Sequence, residues 1–552
     1  MKYIIITGGI ISGLGKGITS SSIGLLLKSR GINVTAIKID PYLNIDAGTM
    51  SPFEHGECYV LGDMTECDLD IGNYERFLGL ELTKYHNITT GKIYQSVINK
   101  ERNGEYLGKT VQIVPHITNE IQSCIKKAAV IPVDNNKNSP EVCLIEVGGT
   151  IGDIETSPFI EAIRQMAADG EKNQFCFVHV SMIIDNGELK TKPTQHSVAI
   201  LRTLGIIPNF LVLRTPRMLD AKMKKKLKIF CQISEDNIIS NIDMPNIYYV
   251  PDLFKSQNIC EKIGKVLDIK FNNTYQLKDY YKVLNHYESD LPELNLIMAG
   301  KYVCRLAPRP LHKVGSNDTY LSLIRAIDHA SFSVGVKINI IWLNTEDIDN
   351  CEIETNIEIK NMLEKCHGVI ILGGFGKRGT AGKIKIAKYT RGNKIPILGI
   401  CLGLQVMVVE FARSIGINCS STEWDSKTEH PIIDILPGQT DIMGGSLRLG
   451  NYTTKLKKES KVYKLYGKEN IVERHRHRYE VNNKYVDILE KNGLYFVGKS
   501  KNGQLMEIVE LKDHPFYIGV QYHPEFKSRY NTPHPLFIGL LNSAKEYKLK
   551  LI

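Results

Sequence analysis

Twice along the chain, short unbroken apolar runs alternate with segments of helical length, and each series sets a glycine-rich turn directly behind one of its runs. The first series contains 3–6 (YIII), 34–39 (VTAIKI), 142–147 (VCLIEV) and 210–213 (FLVL). The second starts at 294–298 (LNLIM) and continues through 336–342 (VKINIIW), 368–372 (GVIIL) and 397–400 (ILGI). A strand with one wet face alternates apolar with polar residues. A run that is apolar at nearly every position must be covered on both faces, which is the condition of a parallel sheet between helices. The expected class is therefore α/β, with two doubly wound domains. Size also demands more than one domain, because 552 residues exceed the roughly 250–300 at which one hydrophobic core stops growing. The stretch 271–292 (FNNTYQLKDYYKVLNHYESDLP) is polar and aromatic without a strand pattern. The division is expected near residue 285, with a first domain over 1–272, a linker over 273–292 and a second domain over 293–552.

Composition narrows the functional classes. An apolar fraction of 43% and a charged fraction of 23% belong to a folded chain, not a disordered one. The net charge of +9 fits polyanionic small molecules as well as nucleic acid, and no long basic block or interleaved aromatic stripe favours nucleic acid. The 12 cysteines include no C-x-x-C pair, as expected of a reduced, cytoplasmic protein without a disulfide framework or zinc ribbon. The opening run MKYIIITGGI breaks at Gly8-Gly9, too short for a signal peptide or membrane span, so it reads as a buried strand.

The first glycine-rich turn, Thr7-Gly8-Gly9-Ile10-Ile11-Ser12-Gly13-Leu14-Gly15-Lys16-Gly17, lies between a strand and a segment able to form a helix from Ile18. Strand, glycine loop, lysine and helix make a phosphate cradle: backbone N–H groups face the anion and Lys16 adds a charge. The spacing departs from G-x-x-x-x-G-K-[ST], since five residues separate Gly9 from Gly15 and Gly17 stands where a magnesium-binding hydroxyl is usual. Carboxylates must then hold the metal, and magnesium takes one or two of them together with phosphate oxygens. Glu146, ending an apolar strand before Gly148-Gly149-Thr150, and Asp70 are the candidates, while Asp68 reads as a solvated loop residue. In 190–196 (KTKPTQH) Lys190 and Lys192 sit beside small hydroxyls, and of the cluster Lys222, Lys224, Lys225, Lys226 and Lys228, mostly a solvated face, one or two are expected to reach a triphosphate.

The second turn, Gly399-Ile400-Cys401-Leu402-Gly403, follows a strand and opens a helical segment. Small residues on both sides permit a sharp strand-to-helix elbow, and a helix N-terminus favours the thiolate. A merely buried cysteine would not explain the paired glycines. His523 and Glu525, two residues apart after the run 516–520, supply a base and its orienter for a Cys–His–Glu triad. Gly373-Gly374-Phe375-Gly376, behind another run, offers backbone N–H groups for an oxyanion. In Glu473-Arg474-His475-Arg476-His477-Arg478 the interleaved cations disfavour zinc and suit carboxylate recognition, leaving His475 and His477 structural.

These residues resemble the CTP synthase family over nearly the whole chain: GGIISGLGKGI (8–18), KIDPYLNIDAGTMSPFEHGE (38–57), DLDIGNYERF (68–77), EVGGTIGDIE (146–155), KTKPTQHS (190–197), GGFGKRG (373–379), GICLGLQ (399–405), ERHRHRYEVNN (473–483) and HPEF (523–526). The motifs beyond residue 293 are shared with other class I glutamine amidotransferases; the earlier ones are not. The resemblance implies a dethiobiotin-synthetase-like P-loop synthetase fused to a class I glutaminase. It implies that ATP, UTP and glutamine give CTP through a 4-phosphorylated UTP, with ammonia passed through an internal channel, GTP activating and CTP inhibiting. Magnesium is the implied cofactor, and a homotetramer, with filaments as a further assembly, is the implied state.

By motif, the resemblance assigns ATP to Ser12, Gly13, Leu14, Gly15, Lys16, Gly17 and Ile18, and magnesium to Asp70 and Glu146. It assigns UTP or CTP to Ser12, Lys38, Asp153, Glu155, Lys190, Thr191, Lys192, Gln195 and Lys226. Glutamine falls to Gly374, Leu402, Gly403, Leu404, Gln405, Glu423 and Arg478, the ammonia channel to His55 and Cys58, and the GTP effect to Arg378. Two departures stand out: residues 302–319 are longer than expected before the first glutaminase helix, and Cys58 replaces a valine-like residue. The end at Ile552 leaves out the long tail of some relatives. Competing readings are another amidoligase, such as a cobyrinate-type enzyme, which lacks the 38–57 and 190–197 signatures, and a filament-forming scaffold.

Overall fold

The computed structural model describes residues 1–134, 137–271, 274–303, 318–436 and 447–551. Most of the long 302–319 segment therefore lies outside the described residues. The chain groups into two compact units, and they are not simple linear halves. Met1–Ala47 and Asp70–Leu284 form the first, while Gly48–Leu69 joins Asn285–Ile552 in the second. The stretch expected as a linker carries a helix, Lys278–Glu288, with Tyr280, Val283 and Leu284 buried.

The first unit holds a seven-stranded sheet: β1 (Lys2–Gly8), β2 (Val34–Asp40), β3 (Asn87–Thr89), β4 (Val142–Val147), β5 (Phe175–Met182), β6 (Phe210–Thr215) and β7 (Ile238–Ile242), in the order β7-β6-β5-β1-β4-β2-β3. All its pairings are parallel, as the continuous apolar runs require. The register sets Lys38 of β2 opposite Glu146 of β4, so a buried lysine and a buried glutamate become neighbours at one sheet edge. Helix α1 (Lys16–Ser29) follows β1.

The second unit holds a nine-stranded sheet: β8 (Glu293–Gly300), β9 (Lys337–Asn344), β10 (Gly368–Ile371), β11 (Ile397–Ile400), β12 (Arg448–Leu456), β13 (Asn470–His477), β14 (Leu494–Ser500), β15 (Met506–Leu511) and β16 (Tyr517–Val520). Their order is β9-β8-β10-β11-β16-β15-β14-β12-β13. The first five are parallel and the last four extend the sheet antiparallel. Side chains alternate across a strand, so β8 divides itself between two cores. Leu294, Leu296 and Met298 pack with Leu323, Ile327 and Phe537 on one face. Ile297 and Ala299 pack with Leu343, Ile386 and Leu404 on the other. Helix α2 (Leu402–Ser414) follows β11 and is buried along most of its length. Among the described residues, no helix is long and apolar enough to cross a membrane.

Candidate active sites

In the second unit, three neighbouring parallel strands, β10, β11 and β16, each end at a piece of one site. Cys401 sits between β11 and α2 at φ 56° and ψ −106°, a strained conformation for a residue with a Cβ and the mark of a nucleophile elbow. Its N–H donates to the Val520 carbonyl at 2.7 Å, which ties the elbow to β16. Two glycines make the turn possible. A Cβ on Gly403 would lie 2.3 Å from the Ile371 carbonyl oxygen, and one on Gly399 would lie 2.3 Å from the Met407 sulfur. Gly403→Ala is thus expected to displace backbone, costing about 1–3 kcal/mol as overpacking does. Thermal unfolding should show the loss, and glutaminase activity should fall with it.

His523 Nδ1 pairs with Glu525 Oε1 at 2.8 Å. Burial pulls the His523 imidazole down, but Glu525 and Cys401 outweigh it and hold the ring up, at about 10. The shift favours the protonated ring beside Glu525. The Gln521 amide lies 3.8 Å from Cys401 Sγ, and the Arg476 carbonyl 3.7 Å. Gly373 closes on the pair from β10: a Cβ there would stand 3.2 Å from His523 Cε1 and 3.7 Å from Cys401 Cβ.

These groups open on a cavity of about 530 Å³. Of the residues expected at glutamine, Gly374, Glu423 and Arg478 line it. Glu423 accepts the Gly376 N–H at 2.7 Å, and burial holds its carboxyl above the ordinary range. Leu402, Gly403, Leu404 and Gln405 form the buried first turn of α2, where Gln405 donates to the Tyr479 carbonyl at 2.8 Å. Cys58 lines the cavity, 3.7 Å from Glu66 Oε1. His55 does not; it is half exposed and 3.9 Å from Glu54. Arg378 pairs with Glu346 and lies 5.8 Å above the Tyr302 ring.

The arginine–histidine alternation of β13 resolves into two faces. Arg474 donates to the Tyr59 hydroxyl and the Val60 carbonyl, and Arg476 to Glu66 at 2.6 Å, so this face binds the 48–69 segment. The other face is buried: Glu473 meets His534, His475 lies 3.4 Å from Glu507, and His477 pairs with Glu480, which also holds Arg448. Arg476 and Gln521 belong to the site's wall or its thiol and were not singled out from sequence, although the alternation put Arg476 on the same face as Arg478.

In the first unit the glycine loop turns through left-handed residues Gly13 (φ 71°) and Gly15 (φ 90°), with Leu14 buried between them and Ser12 exposed. Lys16 then starts α1 and donates to the Gly149 carbonyl at 2.8 Å. Lys38 meets Glu146 at 3.1 Å, Asp40 at 3.7 Å, and Asp70 as well. Burial lowers Lys16, and Lys38 adds to that, while Glu146, Asp70 and Asp40 act the other way. Burial outweighs Lys38 at Glu146 and keeps it above its ordinary range; at Asp70, Lys38 wins and holds the carboxyl below it. Tyr74, unremarked in the sequence, donates to Glu146.

Both carboxylates converge on Gly17. A Cβ there would lie 2.6 Å from Asp70 Oδ1 and 3.5 Å from Glu146 Oε2. The place of the usual hydroxyl ligand is thus taken by acid oxygens, and a small oxygen-bound cation fits the donor set. Among the described residues no three His, Cys, Asp or Glu side chains are grouped to hold a metal, so the pair would need phosphate oxygens to complete a shell.

The other nucleotide candidates lie on a loop, a short turn, a strand end and two helices, Lys192–Thr203 and Ala221–Cys231. Asp153 accepts the Thr150 N–H at 2.8 Å, and Glu155 is exposed. Thr191 is buried and accepts from Gln195 at 2.9 Å; Lys192 lies 5.9 Å above the Phe230 ring. Lys190, then Lys226 and Lys222, hold Glu188 below its ordinary range, which puts these lysines around one point. Ile18 follows the glycine loop on α1 and is half-buried.

Similarity to known proteins runs through both units. The family model for the CTP synthase N-terminus matches residues 2–269, and that for class I glutamine amidotransferases matches 316–543. CTP synthase of Archaeoglobus fulgidus is 47% identical over 99% of this chain and 99% of its own. CTP synthase 2 of Xenopus laevis is 46% identical over 99% of this chain and 95% of its own. A solved glutaminase domain of Trypanosoma brucei CTPS with bound acivicin is 30% identical, covering 46% of this chain and 94% of that one, with a TM-score of 0.41. With a glycine loop before α1 and a cysteine elbow in one chain, and similarity running through both, the chain belongs to the CTP synthase family.

Proposed function

We propose that the chain makes CTP by releasing ammonia from glutamine at Cys401 and using it at the Lys16–Lys38 site to displace an activated oxygen from UTP. Family membership makes it a glutamine-hydrolysing, ATP-dependent ligase with UTP, ATP and glutamine as substrates. One observation carries the coupling. The Cys401 cavity is walled in part by Gly48, Met50, Cys58 and Glu66, which belong to the segment leaving β2 after Lys38 and returning at Asp70. A segment that bounds the ammonia-producing cavity and is bracketed in sequence by synthetase residues supports delivery through an internal channel, with Cys58 on its wall and His55 just before it in sequence.

At the thiol site, Glu423 would take the ammonium end of glutamine and Arg478 its carboxylate, matching charge to charge. The Cys401 thiolate, at the N-terminus of α2, attacks the carboxamide carbon; the Gly374 N–H receives the oxyanion. His523 gives a proton to the leaving ammonia, and water then splits the thioester to glutamate. Leu402, Gly403, Leu404 and Gln405 contribute the helix turn that frames the substrate.

At the synthetase site, Ser12 to Ile18 would cradle ATP phosphates while Lys16 and Lys38 steady the transferred phosphoryl group. The C4 oxygen of uracil leaves poorly; phosphorylated, it leaves as phosphate when ammonia attacks C4. Magnesium, held by Asp70 and Glu146, would balance the triphosphate charge. Lys190, Thr191, Lys192, Gln195 and Lys226 would recognise UTP, and Asp153 and Glu155 would take part in CTP inhibition. Arg378 would couple GTP to glutamine hydrolysis, and nucleotide would favour a homotetramer.

The test is direct. With UTP, ATP and magnesium, uracil should become cytosine with either glutamine or ammonia; GTP should raise only the glutamine-supported rate, and CTP should lower both. A chain that hydrolyses glutamine but aminates no UTP when ammonia is supplied would refute the proposal.

A further inference from the structure

The glycine loop that faces Cys401 is gripped from behind by two buried lysine side chains. Lys383, with no exposed surface, donates to the Leu372 carbonyl at 2.5 Å and the Gly373 carbonyl at 3.3 Å. Lys301, 1% exposed, donates to the Phe375 carbonyl at 2.5 Å and the Gly376 carbonyl at 2.7 Å. Its aliphatic chain lies against Gly374, where a Cβ would stand 3.2 Å from both Cδ and Cε. Four of the five carbonyls from 372 to 376 are thus held by lysine.

A trans peptide points its C=O and its N–H in opposite directions. The peptide whose carbonyl Lys301 holds at Phe375 carries the Gly376 N–H, and that N–H donates forward to Glu423 on the cavity wall. By the same geometry, the peptide whose carbonyl Lys383 holds at Gly373 carries the Gly374 N–H. Local preference does not fix that orientation: Gly374 has φ 152°, a region that residues with a Cβ rarely adopt, and glycine itself is free to leave it.

Burying an ammonium is costly unless it is well paired, which argues against Lys383 as an incidental filler. Burial, then Lys301, pushes its charge state down, while Cys401 and Glu423 support the cation. We propose that Lys383, assisted by Lys301, is a positioning residue for glutamine hydrolysis: it turns the Gly373–Gly374 peptide so that the Gly374 N–H faces the carboxamide oxygen, which becomes an oxyanion when Cys401 attacks the carbon. The proposal rests on Cys401 being the nucleophile.

The full-length Lys383→Met variant tests it. Its kcat for glutamine hydrolysis should fall roughly 10- to 100-fold, less than the loss of a direct oxyanion donor, with KM for glutamine within about threefold. The γ-aldehyde analogue of glutamine, whose thiohemiacetal with Cys401 sets an oxygen in the oxyanion position, should bind more weakly by the same factor. Alkylation of Cys401 by iodoacetamide, which forms no oxyanion, and ammonia-supported CTP formation should be unchanged. An unchanged kcat, or a lower kcat with unaltered aldehyde binding, overturns the proposal. If Lys383→Met also loses alkylation or ammonia-supported synthesis, Lys301→Met decides: a parallel fall in kcat and aldehyde binding supports the clamp, and no fall overturns it. A Cys401→Ser protein that still hydrolyses glutamine refutes the nucleophile assignment instead, and is read separately.

Discussion

Cys401→Ala abolishes CTP formation from glutamine and leaves formation from ammonia within about twofold of the unaltered chain; the first loss is on the order of 10⁴- to 10⁶-fold, the scale seen when a covalent nucleophile is removed. The substitution keeps the Cβ and the backbone N–H, so the bond to the Val520 carbonyl survives. Only the sulfur is lost, and with it the thioester route. Ammonia added as free base needs no thiol, so UTP amination continues. A corollary concerns His523. Cys401 is one of the groups that holds the imidazole up, so in the variant its proton should be held less tightly and its titration should move down from about 10. Initial rates of cytosine formation with each nitrogen source, together with the His523 titration followed by NMR, check both statements. Survival of the glutamine-supported rate, or loss of both rates, contradicts the two-site scheme.

How much of this is legible in the sequence depends on the range of the interaction. The strands at 3–6, 142–147 and 397–400 declare themselves because burial on both faces demands apolar residues at nearly every position. The elbow at Cys401 is equally local, since Gly399 and Gly403 are needed by contacts within the turn or with the adjacent strand. The antiparallel extension is harder to see. β12 (RLGNYTTKL) carries polar residues and a left-handed glycine, Gly450, so its pattern is neither continuous nor cleanly alternating. The membership of 48–69 in the second unit is hidden altogether, because it is decided by Arg474 and Arg476 more than 400 residues away in sequence. Lys301 and Lys383 are invisible for another reason. A lysine beside a glycine loop or inside a helix reads as solvated, and only tertiary structure reveals that its partners are buried carbonyls.

Lys16→Ala removes CTP formation from both nitrogen sources, by about 10³-fold or more, while basal glutamine hydrolysis persists. The reason is the charge balance at the end of β1. Three acids, Asp40, Asp70 and Glu146, act on Lys16, and Lys38 is the second cation among them. Lys16 folds back over Gly8, where any Cβ would stand 2.8 Å from its Nζ, and anchors on the Gly149 carbonyl. Without it, an incoming triphosphate meets three carboxylates and one lysine, and the negative charge developing during phosphoryl transfer loses its fixed counter-charge. Lys38 cannot substitute, because it is already committed to Glu146 and Asp70. Ammonia supply does not rescue the variant, since the missing step is activation of the uracil oxygen and not nitrogen release. The Cys401–His523–Glu525 geometry is built wholly from residues of the second unit, so glutamate should still appear from glutamine. Parallel assays of CTP, ADP and glutamate separate these outcomes. CTP made from ammonia at near the unaltered rate would remove Lys16 from the phosphoryl step, and loss of glutamate production as well would mean that nucleotide binding at Lys16 is required before the thiol can act.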